Sequence, residues 1–483
     1  MVALDQSPAP QETQDTAGNA AKFYRAAWRW HFYAGLYVIP FLIMLALTGL
    51  GIMWSSVIEG RDGEYIYITP AEGSAEITAP ESTAPKITVP VSMQAEAALA
   101  AVPGGNLLEY IAPVKSDTVA LFRIDTDHGQ IMAAVNPFTA EVVETFPRRE
   151  GWYQFFENIH GELMIGTLGD RLIEIAASLG IILIVTGVYL WWPRGGGLRT
   201  ALIPNLKARG RALWKTLHAT VGIWMSVFLT FFLLSGLAWS GIWGDRLTQA
   251  WSTFPAEKWG APLSDKTHGD LNPGYKLMPW ALEQTPLPAS GSLAGADGIT
   301  EGLPVTFDTV DAYARALGFD HRYRLAFPQS DTGVWTMTRD SMSLDSTDPL
   351  SDRTLHLDQY SGKILADVQF AEYSVPGKAM AVGMALHMGT AGWWSIVFNT
   401  VYCLLVVFLC VSGAVMWWKR RPAGSLRIAP PPMPQNMPLW KGAVALGLLL
   451  CFAFPMAGLT LLAVLLLDWL VVSRVPVLKR ALL

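Results

Sequence analysis

Apolar residues run almost unbroken over Trp30–Trp54, Leu172–Trp192, Thr216–Trp243, Ser395–Trp418 and Met456–Val472, with a shorter run at Gly442–Phe454. A helix needs about 20 apolar residues to cross a bilayer, so the pattern predicts five full spans and a short one. The short run meets the last across Phe454-Pro455, which predicts a tight helical hairpin. The first run follows a long polar tail and exceeds a signal-peptide core, and the text after it, MWSSVIEG, has no small-x-small cleavage site. It is expected to remain as a span.

Between the spans the pattern changes to short alternating runs bounded by turn residues. Residues 93–102 (MQAEAALAAV) predict a short helix, and LLEYIAP, TVALFRID and QIMAAV predict strands before a turn in NPFTAEVVETF. The same order returns later. DTVDAYARAL predicts a helix, YRLAF, GVWTMTRD and RTLHLD predict strands, and the turn is in DQYSGKILADV. The stretches 61–90 and 284–304, rich in Pro, Thr, Ser and Glu or in Gly, Ala and Pro, read as loops.

The spans repeat as well. At an offset of 187 residues His31 falls on His218, Gly35 on Gly222, Leu42 on Leu229, Thr48 on Ser235 and Gly49 on Gly236. TGVYLWWPR, from Thr186, falls on SGAVMWWKR, from Ser412, with His160 and His387 lying 26 and 25 residues upstream. Duplication is a recurrent way of building membrane proteins. The hairpin at 438–473 stands outside the repeat.

A net charge of −5 hides an asymmetry. Loops 193–215 and 419–441 carry Lys and Arg and no acid, whereas 58–150 and 244–386 are rich in Asp and Glu. The positive-inside rule puts the basic loops and both termini in the cytoplasm. The expected order is a disordered cytoplasmic tail (1–21), span one (22–57), an outer α+β domain (58–150), span two (151–193) and a cytoplasmic loop (194–212). Span three (213–243), a second outer α+β domain (244–380), span four (381–420), a cytoplasmic loop (421–437), the hairpin (438–473) and a cytoplasmic tail (474–483) follow. The fold class is thus an α-helical membrane protein, a four-helix bundle made by duplication plus a C-terminal hairpin, with two outer α+β domains. Cys403, Cys410 and Cys451 lie in apolar runs and form no CxxC motif, so they read as core residues.

Eight histidines remain to be assigned. His128, His268, His321 and His356, in the outer domains, show no metal-like spacing and read as surface or structural residues. His31, His160, His218 and His387 sit one per repeated span, at or near its start. The topology sorts them into two pairs, His31 with His218 at the cytoplasmic end and His160 with His387 at the outer end. A single histidine there reads equally well as a polar helix cap. Paired imidazoles across a bundle, without acids or cysteines nearby, suit haem iron with axial histidines, whereas zinc or copper would want further ligands. Gly35 and Gly222, one turn beyond His31 and His218, share their helix faces and leave room for a flat macrocycle.

The repeated helix-and-strand units, each ending in an Asp/Asn-x-aromatic-Ser/Thr-Gly-like turn, resemble PepSY domains, with Ala140 at the turn-glycine position of the first copy. With the four histidine-bearing spans and their Gly-x-x-x-Trp-Trp endings, residues 22–421 resemble the PepSY-associated transmembrane, or iron-regulated membrane, proteins. The resemblance implies two b-type haems held by His31, His218, His160 and His387 in a bacterial inner membrane. It also implies outward electron flow and an oxidoreductase reducing the ferric iron of a periplasmic siderophore. The implied partners are that siderophore, an unknown cytoplasmic or quinol electron donor and membrane lipid, and no nucleic acid. Arg148, Arg149, Trp152 and Trp393, clustered with Tyr153 and Trp394 at the outer ends of spans, are the substrate candidates. They equally suit an interfacial aromatic belt with arginines reaching to the headgroups. Two rival functions share the architecture, namely a quinol-linked cytochrome b without siderophore activity and a non-enzymatic PepSY binding or sensor protein.

Overall fold

The computed structural model describes residues 11–68, 88–195, 197–272, 279–319, 321–421, 428, 430–432 and 436–475. Most of the expected loop 61–90, parts of loop 421–437 and most of the tail 474–483 lie outside the described residues. In chain order the elements are α1 (Gln11–Ile58), α2 (Val91–Ala101), β1 (Asn106–Ile111), β2 (Ala120–Thr126), β3 (Gly129–Val135) and β4 (Val142–Pro147). Then come α3 (Trp152–Glu162), α4 (Thr167–Trp191), α5 (Leu198–Ala201), α6 (Arg211–Leu237), β5 (Leu263–Thr267), β6 (Pro286–Pro288) and α7 (Phe307–Ala316). The chain continues through β7 (Arg324–Ala326), β8 (Val334–Arg339), β9 (Arg353–Asp358), β10 (Ile364–Gln369), α8 (Val375–Met388), α9 (Trp393–Trp418), α10 (Lys441–Ala453) and α11 (Pro455–Leu467). It divides into a helical unit (residues 1–48, 158–247 and 400–483) and a sheet unit (49–157 and 248–399).

In the helical unit each long helix buries one stripe, with Val38, Leu42 and Ala46 from α1, Ala177 and Ile181 from α4, Met225, Leu229 and Leu233 from α6, and Tyr402, Val406 and Cys410 from α9. The 3–4-residue spacing keeps each set on one helix face. The opposite faces expose Leu36, Leu47, Val227, Leu404 and Val411, an apolar surface suited to lipid rather than water. Among the described residues five helices are long and apolar enough to cross a membrane, and the 13-residue α10 is shorter. The chain is a multi-pass membrane protein. At one end of α10 Trp440 packs on Phe23 of α1, 5.0 Å between ring centres. At its other end Trp243 Nε1 donates to the Ala453 carbonyl (2.9 Å) and stacks on Phe454.

Three sequence expectations change. Residues 11–21, expected as disordered tail, are helical and continue directly into the first span, sharing its helix nucleus. Span two is two helices, because Leu163, Met164 and Gly166 take positive φ and end α3 before α4 begins. Span four breaks likewise, with Gly389 in the left-handed conformation capping α8 ahead of α9.

The two expected outer domains are one sheet. Its order is β10-β9-β8-β7-β1-β2-β3-β4, with β1 and β7 antiparallel and Tyr110 opposite Leu325. Each four-stranded copy alone would leave that edge unpaired, and joining the edges satisfies their backbone groups. Helices α2 and α7 cover one face, tied by Ser92 Oγ donating to Asp308 (2.6 Å), over a core that includes Tyr110, Phe122, Leu325 and Leu355. Alternation sends Glu109, Arg123 and Arg324 to the other face. There they are buried too, with Arg123 and Arg324 at 3.4 and 3.5 Å from Glu109. Arg322 joins Glu64 (2.6 Å) and Asp345 (2.9 Å) in the same network. The turn after β3 keeps its conformation without its glycine, since Ala140 has φ 58° where the second copy has Gly362 at φ 67°.

Candidate metal centre

His31 on α1 and His218 on α6 face each other across the helical unit. Their ring centres are 6.5 Å apart and their planes are nearly perpendicular, at 88°. Two imidazoles on opposite sides of one metal, at the roughly 2 Å metal–nitrogen distance usual for histidine, put ring centres about 6 Å apart. The pair therefore has the spacing of two axial ligands to one iron.

The hydrogen bonds decide which nitrogen is free. His31 Nδ1 lies 3.1 Å from both the Leu183 carbonyl and Thr186 Oγ1. A carbonyl only accepts, so Nδ1 carries the proton and donates. Thr186 uses its own hydrogen toward the Ile182 carbonyl (2.7 Å), which leaves its oxygen as acceptor. His218 Nδ1 meets Ser412 Oγ at 2.7 Å, and Ser412 in turn donates to the Leu409 carbonyl (2.8 Å). Both rings are therefore set in the Nδ1–H tautomer, with the Nε2 lone pair available to a metal. Among the described residues no three His, Cys, Asp or Glu side chains gather around a metal position.

A Cβ on Gly35 would make ordinary contact with Leu183 (3.6 Å), and one on Gly222 with Leu409 (3.8 Å). Two further glycines, Gly187 and Gly413, border the imidazoles. A Cβ on Gly187 would stand 3.1 Å from His31 Cε1, and one on Gly413 would stand 3.6 Å from His218 Cε1. Both follow the histidine-bonded hydroxyl in the repeated Thr-Gly and Ser-Gly of TGVYLWW and SGAVMWW, so the repeat was the signal that could have found them. Next to Gly413 an apolar groove of about 340 Å³ opens between α1 and α9, lined by residues including Ile39, Ile43, Cys410, Ala414, Trp417 and Lys419.

The family model of the PepSY-associated TM region matches residues 28–420. The chain belongs to this family. No curated protein matches it. The matched region of this PepSY-associated TM protein holds all four repeated spans and the sheet, and the α10–α11 hairpin lies beyond it.

The other two histidines occupy equivalent places. His160 is the third residue from the end of α3 and His387 the second from the end of α8, each just ahead of a long helix. His160 Nδ1 meets Thr48 Oγ1 at 2.9 Å, and Thr48 donates to the Met44 carbonyl (2.8 Å), so the Nδ1–H tautomer recurs. Thr48 lies 17 residues beyond His31 on α1, about 25 Å at 1.5 Å per residue. That covers most of the roughly 30 Å hydrocarbon thickness. His387 belongs to the sheet unit, and the Asn399 amide donates to its backbone carbonyl (3.1 Å).

Of the substrate candidates, Arg148 does not reach the surface. It is buried in the charge network and donates to Gln130 Oε1 and Asn272 Oδ1, both at 2.8 Å, because β4 ends with it turned under the sheet. Tyr153 is also buried, beneath the Arg61 guanidinium. Arg149 is half exposed and bonds Gln154, Trp152 stacks on Phe156, and Trp393 packs edge-on against Trp54. Trp152, Trp393 and Trp394 are exposed.

His128 and His321 are exposed, as read from the sequence. His268 and His356 are fully buried and face each other, Nε2 to Nε2, at 2.9 Å. His268 Nδ1–H donates to the Thr285 carbonyl (2.8 Å), so its Nε2 accepts from His356 Nε2–H, and His356 Nδ1 accepts from Thr336 (2.9 Å). The chain of bonds needs both rings neutral. Burial pushes the His268 imidazole down to about 4 and His356 well below its usual range. Spacing along the sequence could not reveal this pair, since 88 residues separate its members.

Proposed function

We propose that the protein is a transmembrane di-haem b reductase that passes electrons from the cytoplasmic side to a ferric siderophore in the periplasm, releasing ferrous iron. The observation that carries this is the His31–His218 pair, with axial-ligand spacing and both Nε2 atoms free. Bound haem would supply one-electron redox chemistry. The chain's own part is to hold His31 and His218 in one tautomer and to supply His160 and His387 for the second haem. Ferrous iron is held by a siderophore far more weakly than ferric iron, so one electron suffices for release without destroying the chelator.

The test begins with the absorption spectrum of the purified protein. A Soret band that shifts on dithionite reduction is expected, and a colourless preparation would remove the haem assignment and leave a binding or sensory role. Mixing the dithionite-reduced protein with a ferric siderophore should then reoxidise the haem bands. Bands that stay reduced would overturn the substrate assignment. A second reading, a quinol-linked cytochrome b, draws on the apolar groove between α1 and α9, whose size suits a quinone ring. Reduction of the haem bands by a soluble quinol, together with inertness to ferric siderophore, would favour it.

A further inference from the structure

We infer that Thr186, Ser412 and Thr48 are positioning residues that set the electron-donating strength of the haem ligands, Thr186 and Ser412 at one haem and Thr48 at the other. The inference rests on the di-haem reading and extends it to residues that touch no iron. Three independent hydroxyls carry it. Each is buried, with 8 %, 0 % and 7 % of its residue surface exposed, so water cannot take its place. Each has its hydrogen committed to a carbonyl of its own helix, at 2.7 Å for Thr186 and 2.8 Å for Ser412 and Thr48. Each therefore presents only oxygen lone pairs to a histidine Nδ1, at 3.1, 2.7 and 2.9 Å.

Any buried imidazole N–H wants such a partner. In a ligand the bond does more, because a ring N–H bonded to an acceptor makes the opposite nitrogen a stronger donor and holds the ring against rotation. The stronger donor favours ferric over ferrous iron. These bonds therefore hold the potential of each haem below that of an unassisted bis-imidazole site. The duplication sets the distribution. Thr186 and Ser412 are the matched residues of spans two and four and serve facing ligands, so they act on one haem. Thr48, roughly 25 Å along α1 from His31, acts on the His160 side.

The experiment is spectroelectrochemical titration of the full-length haem-loaded protein in detergent, comparing wild type with Thr186→Val, Ser412→Ala, Thr48→Val and the serine variants Thr186→Ser and Thr48→Ser. Thr186→Val and Ser412→Ala should raise the same one of two midpoint potentials, and Thr48→Val should raise the other. The serine variants should return both toward wild type. The Thr186→Val/Ser412→Ala double variant should also bind haem about 10- to 100-fold more weakly. Unchanged potentials in all three single variants would overturn the inference even where haem content or melting temperature falls, because a purely structural hydroxyl moves those alone. A shift of one and the same potential by Thr48→Val and Ser412→Ala would overturn the assignment to separate haems. A wild-type protein that binds no haem would instead sink the di-haem reading, and this inference with it.

Discussion

Gly187→Ala and Gly413→Ala look interchangeable in the aligned repeats, yet the structure separates them. Alanine in place of glycine inside a helix gains roughly 0.5–1 kcal/mol, because less backbone freedom is lost on folding. At Gly413 the new Cβ would lie 3.6 Å from His218 Cε1, ordinary van der Waals contact, so the gain should appear almost undiminished. At Gly187 the Cβ would lie 3.1 Å from His31 Cε1, and the ring must give way by a few tenths of an ångström. His31 is held by Thr186 and the Leu183 carbonyl, so the movement strains its side-chain torsions. Off-rotamer strain of about 0.5–1.5 kcal/mol corresponds to about 2- to 10-fold weaker binding of a group ligated by that ring. Thermal unfolding in detergent should show Gly413→Ala at or slightly above wild type and Gly187→Ala near neutral. On the di-haem proposal, haem titration should show weakened binding for Gly187→Ala alone. Equal haem affinity in the two variants, or a greater loss in Gly413→Ala, would refute the packing argument.

Ala140→Gly should stabilise the sheet unit by about 1 kcal/mol, since it removes a left-handed alanine costing about 1–2 kcal/mol and adds a smaller glycine entropy cost. Gly362→Ala should do the reverse and more, because its Cβ would also meet Ile299 at 2.8 Å, and chemical denaturation would measure both. Arg148→Ala should destabilise by about 3 kcal/mol by stripping a buried charge network of a cation, whereas half-exposed Arg149→Ala should stay within about 0.5 kcal/mol. A larger loss for Arg149 in thermal unfolding would contradict that ordering. The His268–His356 pair predicts an acid-labile sheet unit. With His268 near 4 in the folded protein and about 6.5 unfolded, the unfolded chain binds the proton first. Stability should therefore be unaffected by this residue above pH 6.5 and fall by about 3 kcal/mol toward pH 4. A His268→Gln/His356→Gln variant should lose that part of the pH dependence, and an unchanged acid slope would count against the neutral pair.

The spans, the duplication and the four span-associated histidines were legible in the sequence, because they follow from quantities local to the chain: run length, residue order and offset. The strands of the outer segments were legible for the same reason, and β2, β3 and β9 lie within a residue or two of the alternating runs that predicted them. Which glycine borders which imidazole was not legible. Gly35 and Gly222 share a helix face with their histidines, whereas Gly187 and Gly413 border the rings from α4 and α9. The hydroxyls of Thr186, Ser412 and Thr48 stood in the aligned repeats without a role until distances across the bundle gave them one. Arg148 looked like an exposed cation beside aromatic residues, and the joining of two half-sheets at β1 and β7 formed a buried charged face that encloses it. Tertiary structure alone decided these points, because edge pairing, side-chain burial and imidazole tautomer depend on groups tens to hundreds of residues apart, which no local pattern relates.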